Sequence, residues 1–377
     1  MGVSLSPSTL NVIQVGLGFF LNFFAFNSQG LKSISVFIFG KTLRTAGFIE
    51  ETVIDSASVG KNINKHAGYY SLSIIYAVFT VSNIIAAPIV ELLTPKWSMA
   101  LGALCYAAFQ AGFLRLNEIY LYVSSATLGF GAAILWTGQG TYLSQNSTAE
   151  TSARNSALLW ALAEGSLLGG GIFLFIIFRT SDTTDGIPDS TVNTLYGIFT
   201  AVAILSAIVF VFLRVPSSTV DKDVEVRRST FSLMFTKEML LMAFVFAYTG
   251  IEQSFWTGVY PTCISFSQQL GSNTNSILAI ALICGGLLGF GDACWNTQIY
   301  AYLCDVHAAK SSEAFALFKF YQSGLSCAAF YYSSVLILPW QLVILITTSF
   351  AAAICFFVSE RLLSHSQSQN EYLSERL

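Results

Sequence analysis

The chain has 377 residues, 54% of them hydrophobic and only 10% charged, with a net charge of −3 and a mean hydropathy of +0.63. Soluble domains carry roughly a quarter charged residues, so a water-soluble globule is excluded and an all-α polytopic membrane protein is predicted. No basic cluster is dense enough to suggest nucleic acid. The seven cysteines form no CxxC pair and read as buried small residues, without a disulfide framework or zinc site.

A helix crossing the bilayer needs about 20 apolar residues. Ten stretches qualify: 10–29, 69–92, 97–115, 119–142, 155–178, 194–213, 239–260, 276–303, 314–338 and 340–358. The first lacks the basic flank and cleavage site of a signal peptide, which predicts a retained span. Residues 1–213 form a predicted N-terminal bundle of six spans, and 214–238, containing DKDVEVRR, a cytosolic connector. Residues 239–358 form an incomplete C-terminal bundle of four, and 359–377 a polar, disordered cytosolic tail. Most of the 18 basic residues fall in the loops that are cytosolic if both termini are cytosolic, which favours that orientation. The sequon Asn146-Ser147-Thr148 then faces the cytosol and stays unmodified.

An internal repeat links the two halves. Residues 128–142 read LGFGAAILWTGQGTY and residues 288–302 read LGFGDACWNTQIYAY. Each copy carries LGFG, then a Trp (136, 295), then a Gln three residues later (139, 298), aligned after a one-residue slip. The first copy lies in the fourth span of its half and the second in only the second span after the connector, as if two helices were missing between them. Parallel six-helix repeats build major-facilitator transporters.

Several stretches carry a family resemblance: AFNSQG (25–30) with FIEETVI (48–54), SIIYAVFTVSNIIAAPIV (73–90), ILWTGQG (134–140), RNSALLWAL (154–162), TGIEQSFWTGVYPTCI (249–264), and GFGDACWNTQ (289–298) with AFALFKFYQS (314–323). The chain resembles the uncoordinated-ninety-three-like branch of the major facilitator superfamily. The loop ELLTPKW (91–97) departs from the superfamily's general loop signature. The resemblance implies twelve spans, of which the eighth and ninth are lacking here, with a join near 273–278. It also implies that 31–47 is an insertion. A genuine isoform or a faulty gene model would account for both.

Ionisable groups in mid-span cost at least about 2.5–3.5 kcal/mol and tend to face a cavity or partner. Glu164, Glu252 and Asp292 are each expected as a proton or cation site, or as a protonated carboxyl bonded to a neighbouring helix. Lys319, about 8 Å into its span at 1.5 Å per residue, either snorkels to the cytosolic surface or pairs with Asp292. Asn22, Asn27, Gln29, Asn83, Gln139, Asn296, Gln298 and Gln322 are either packing glue or, with Trp136 and Trp295, solute contacts near the interface of the halves. Gly169-Gly170-Gly171 is expected as a close helix contact or hinge. No nucleophile–base pair, Walker motif or metal-ligand cluster is present, so no enzyme activity and no cofactor are expected. The expected surroundings are the lipid bilayer, with a small-molecule solute or a partner membrane protein. The leading expectation is a solute transporter. The alternatives are a non-transporting regulator of ion channels or trafficking, which the resemblance implies, and an inactive truncated form.

Overall fold

The computed structural model describes residues 6–28, 64, 67–180, 189–214, 230–260, 274–333 and 335–374. Among these the only regular structure is helical: α1 (Pro7–Ser28), α2 (Ala67–Gly112), α3 (Glu118–Gln145), α4 (Ser152–Thr180), α5 (Asp189–Val211), a short α6 (Thr230–Met234), α7 (Lys237–Ser254), α8 (Thr274–Val306), α9 (Ser311–Ser333) and α10 (Leu338–Ser374). Six helices among the described residues are long and apolar enough to cross a membrane: α1, α2, α3, α4, α5 and α10. α7 carries Lys237, Glu238 and Glu252, and α9 carries Lys319 and Gln322, so both are more polar. Gln29, the insertion at 31–47, Cys263 and most of the connector lie outside the described residues.

Local chemistry sets the helix ends. Asn117 caps α3 by accepting a bond from the Tyr120 N–H at 3.0 Å, and Thr236 caps α7 through the Met239 N–H at 3.4 Å. The 46 residues of α2 hold two predicted spans, separated by one non-helical residue: Thr94 has φ 67° and ψ 153°. Pro95 cannot donate to the helix and disfavours helical geometry in the residue before it. A break of one residue therefore folds the two arms of α2 back on each other. Beyond 358 the expected disordered tail is corrected, because α10 runs on to Ser374. No Gly or Pro interrupts 359–374, and nothing in that polar sequence stops helix propagation.

Helices α1 to α5 pack on one another, as do α7, α9 and α10. Between the groups, α9 lies against α2 and α3, and α8 against α4. Close approach uses small residues. A Cβ on Gly250 of α7 would strike the Gln322 carbonyl of α9, and one on Gly140 of α3 would strike the Phe315 ring. A Cβ on Gly169 would stand 3.1 Å from the Phe20 ring, whereas nothing among the described residues lies within 4 Å of a Cβ placed on Gly171.

The two copies of LGFG have different surroundings. In α3, Gly129 meets the Ile75 carbonyl and Gly131 meets Cys105, so both arms of α2 cover it. In α8, nothing among the described residues lies within 4 Å of a Cβ on Gly289 or on the preceding Gly286, a Cβ on Gly291 would meet only Glu252 Oε1 at 3.6 Å, and Ile283, Leu287 and Phe290 are exposed. Cys284 and Cys294 are exposed on this helix too, which corrects the expectation of uniformly buried cysteines; Cys105 and Cys304 are buried.

Candidate functional site: a charged aromatic cavity between the helix groups

A cavity of about 230 Å³ lies where α1, α2, α3, α4, α7, α8 and α9 converge. It is bordered by Glu164 of α4, Asp292 and Asn296 of α8, Lys319 of α9, Trp136 of α3 and Asn27 of α1. With Gln322 of α9, which also borders it, seven of the residues singled out in the sequence therefore meet in one place. The others do not line it. Glu252 is buried behind it, Gln139 is fully buried, Gln298 is exposed, and Trp295 packs against Tyr248 with ring centroids 5.4 Å apart. The repeat thus matches Gln139 to Gln298 in position but not in environment.

Lys319 is 3% exposed, so it does not snorkel. Its ammonium donates to Gln322 Oε1 at 2.7 Å, and Gln322 Nε2 donates on to Thr249 Oγ1 of α7 at 3.2 Å. The same ammonium stands 4.1 Å from the Trp136 ring centroid and 4.4 Å from that of Phe318, with Trp160 and Tyr300 each at 5.9 Å. Ring faces attract a cation, the more so when water is excluded. Asp292 and Glu164 act on Lys319 electrostatically but form no ion pair with it within 4 Å among the described residues. The direct Lys319–Asp292 pair considered from the sequence is replaced by a shared cavity.

Glu252 is 2% exposed and lies beside Tyr248, with Asp292 as its charged neighbour. Its Oε2, the Asn296 Oδ1 and the indole N–H groups of Trp160 and Trp256 have no hydrogen-bond partner among the described residues. Trp160, Trp256 and Gln253 also border the cavity and were not put forward as site residues from the sequence. Trp256 and Thr257 lie in one π-helical turn, Phe255–Val259, that continues α7. Such turns are frequent at functional sites because they re-aim side chains. The available signal was a tryptophan in mid-span whose N–H needs a partner.

One end of the cavity is sealed. Toward the C-terminal ends of α3 and α8, the Tyr300 hydroxyl donates to Gln139 Oε1 at 2.7 Å. The Tyr300 ring lies 4.9 Å from Phe315 and 5.3 Å from Trp160. The cavity extends the other way, past Tyr76, Phe79 and Phe330. On the sealed side Asn11 Nδ2 donates to Asn146 Oδ1 at 2.8 Å. The sequon asparagine is therefore 6% exposed and engaged.

A family model described as "Ion channel regulatory protein UNC-93" matches residues 59–286 and 278–357. UNC93-like protein MFSD11 of Xenopus laevis is 28% identical over 451 residues, covering 94% of this chain and 96% of that protein. UNC93-like protein 3 of Arabidopsis thaliana is 27% identical, with 82% of each chain covered. The alignment to the Xenopus protein is longer than the 377 residues of this chain, so that relative has residues with no counterpart here. Among solved structures, the major facilitator superfamily transporter FucP in the outward conformation superposes with a TM-score of 0.61 at 14% identity, covering 94% of this chain and 99% of that one. The proton:xylose symporter XylE superposes at 0.58 with 11% identity, covering 94% and 95%. At these identities the likeness concerns the fold: a multi-pass helical membrane protein of the major-facilitator type. With the family model matching most of its length, the chain belongs to the UNC-93 family.

Proposed function

We propose that the chain is a membrane transporter of a small solute, which occupies the cavity between an N-terminal bundle (1–213) and an incomplete C-terminal one (239–358). One observation carries this reading: ionisable side chains from both groups of helices, Glu164 from one and Asp292 and Lys319 from the other, line a single cavity that is sealed at one end. Charged groups in a bilayer are costly and mark solute or ion pathways. At about 230 Å³ the space is smaller than the ~300–1,000 Å³ of drug-sized sites, which suits a compact solute. Glu164 and Asp292 are the groups that would meet it, with Glu252 supporting Asp292 from behind. Both termini are placed on the cytosolic side, so the Tyr300–Gln139 seal faces the cytosol and the cavity opens away from it.

The test is uptake by proteoliposomes from an isotope-labelled mixture of small metabolites, read by mass spectrometry. Time-dependent accumulation of a solute by the native protein, lost in Asp292→Asn at equal reconstitution, supports transport. Absence of accumulation for every solute, with the protein intact and correctly oriented, refutes it.

A second reading is favoured by the bare face of α8 and by the family description. Gly289, the counterpart of the Gly129 that α2 covers on α3, has no described residue against it on α8, so a pair of helices lost from this half would leave a surface for a partner membrane protein. A regulator of that kind tolerates Asp292→Asn and loses its partner when Leu287 and Phe290 are changed to polar residues.

A further inference from the structure

We infer that the cavity selects a small organic ammonium ion, and that Lys319 is its tethered stand-in, holding the aromatic cage of Trp136 and Phe318 while the solute site is empty. The inference deepens the transporter reading and relies on it for physiological meaning, although binding can be measured without transport.

The charge count comes first. The groups facing Lys319 from the packed elements are Glu164 on α4 and Asp292 on α8, with Glu252 on α7 next to Asp292. One ammonium faces two carboxyl groups, with the third behind them, so the cavity can accommodate further positive charge and disfavours negative charge. The lining chemistry comes second. Tyr76, Phe79, Trp136, Trp160, Trp256 and Phe330 border the space. Ring faces suit an alkylammonium, whose charge is spread over a weakly hydrated surface, better than a bare metal ion.

The position of Lys319 comes third. Its Nζ sits 4.1 Å and 4.4 Å from two ring centroids, which already shows that an alkylammonium fits there. Among the described residues it is held by one hydrogen bond, to Gln322, on a flexible four-carbon stem. A solute cation entering the cage would displace it toward Asp292 and Glu164, which are near enough to interact but are not paired with it. The exchange keeps a cation on the rings at every stage and gives Lys319 a carboxylate partner only when solute is present.

The test uses the full-length protein in nanodiscs, with choline as probe, its neutral isostere 3,3-dimethylbutan-1-ol and the carboxylate pivalate as comparisons, and Kd read by calorimetry. Choline should bind at least about ten-fold more tightly than either comparison. Lys319→Gln should tighten choline binding about ten-fold, because it removes both the competitor and a like charge. Trp136→Leu should weaken it about ten-fold while Trp136→Phe retains most of it. A melting scan without ligand identifies any variant that fails to fold, and Trp136→Phe then carries the comparison. Choline binding seen only in Lys319→Gln still supports the stand-in role. The inference is overturned if the isostere or pivalate binds as tightly as choline, if Lys319→Gln abolishes binding, or if choline binds neither form. Binding with no uptake sinks the transporter reading alone.

Discussion

Replacing Tyr300 with Phe removes one hydroxyl from the cavity seal and little else. The ring keeps its neighbours, Trp160 at 5.3 Å, Phe315 at 4.9 Å and Phe318 at 5.9 Å, so packing is preserved. The bond from the hydroxyl to Gln139 Oε1 at 2.7 Å is lost, and Gln139 Nε2 already lacks a partner among the described residues. The amide is 0% exposed and would be stranded. Inter-helix hydrogen bonds in bilayers average about 0.6 kcal/mol, up to about 1.7, and an orphaned buried polar group costs about 1–3 kcal/mol. A shift of about 1–2 kcal/mol corresponds to a roughly 5–30-fold change in the closed-to-open ratio. Cys304 reports it: one turn further along α8, 5% exposed and with Ser144 of α3 as a neighbour, it lies beneath the seal. Its alkylation by a permeant maleimide, followed by peptide mass spectrometry, should accelerate 5–30-fold. Replacing both partners, as Gln139→Leu with Tyr300→Phe, should recover part of the loss, since no buried polar group is then stranded. An unchanged rate in a correctly folded Tyr300→Phe protein would show that this pairing does not hold the end closed.

Other perturbations test other parts of the structure. Thr94 is exposed and sits at φ 67°, ψ 153°, a region that essentially only glycine occupies at a cost of about 1–3 kcal/mol for other residues. Thr94→Gly should therefore raise the melting temperature by about 1–2 °C. Gly250→Ala should lower stability by about 1–3 kcal/mol, because the added methyl meets the Gln322 carbonyl; thermal denaturation in detergent would detect it. Burial pushes the His307 imidazole, in the turn between α8 and α9, down to about 4, with Glu238 opposing and Lys310 reinforcing the shift. The neutral ring is favoured in the fold, so stability is fully present above about pH 6.5 and falls as pH drops toward 4. His307→Gln should flatten the dependence of melting temperature on pH across that window.

The helical membrane fold was legible because bilayer length and backbone satisfaction leave few options for long apolar runs. Even the Thr94 break was marked, by Pro95. Depth along a helix was also readable, which is why Glu164, Asp292 and Lys319 were singled out. The helix face was not. An apolar span surrounded by lipid and protein shows little amphipathic contrast, so the sequence could not tell that Lys319 points into the cage or that Glu252 sits behind the lining. Gln139 and Gln298 illustrate the same gap: their shared spacing from a tryptophan suggested a shared role. One is sealed against Tyr300 while the other is exposed, because α8 lacks the cover that α2 gives α3. Trp160 and Trp256 escaped notice because a tryptophan in an apolar span looks like packing until its N–H is seen to lack a partner.

The open glycine face of α8 also bears on how the chain threads into a bilayer. On the proposed reading that a helix pair is absent beside it, the gap is an even number of crossings. Losing one span would reverse every later segment, sending α9 through the membrane upside down and placing Lys310 and Arg361 on the opposite side. Losing a pair leaves the direction of α9 and α10 unchanged, so Lys319 still enters the cavity from its native side. Such a deletion is silent to the insertion machinery and is felt only afterwards, as a furrow along α8 that acyl chains or a neighbouring helix must fill.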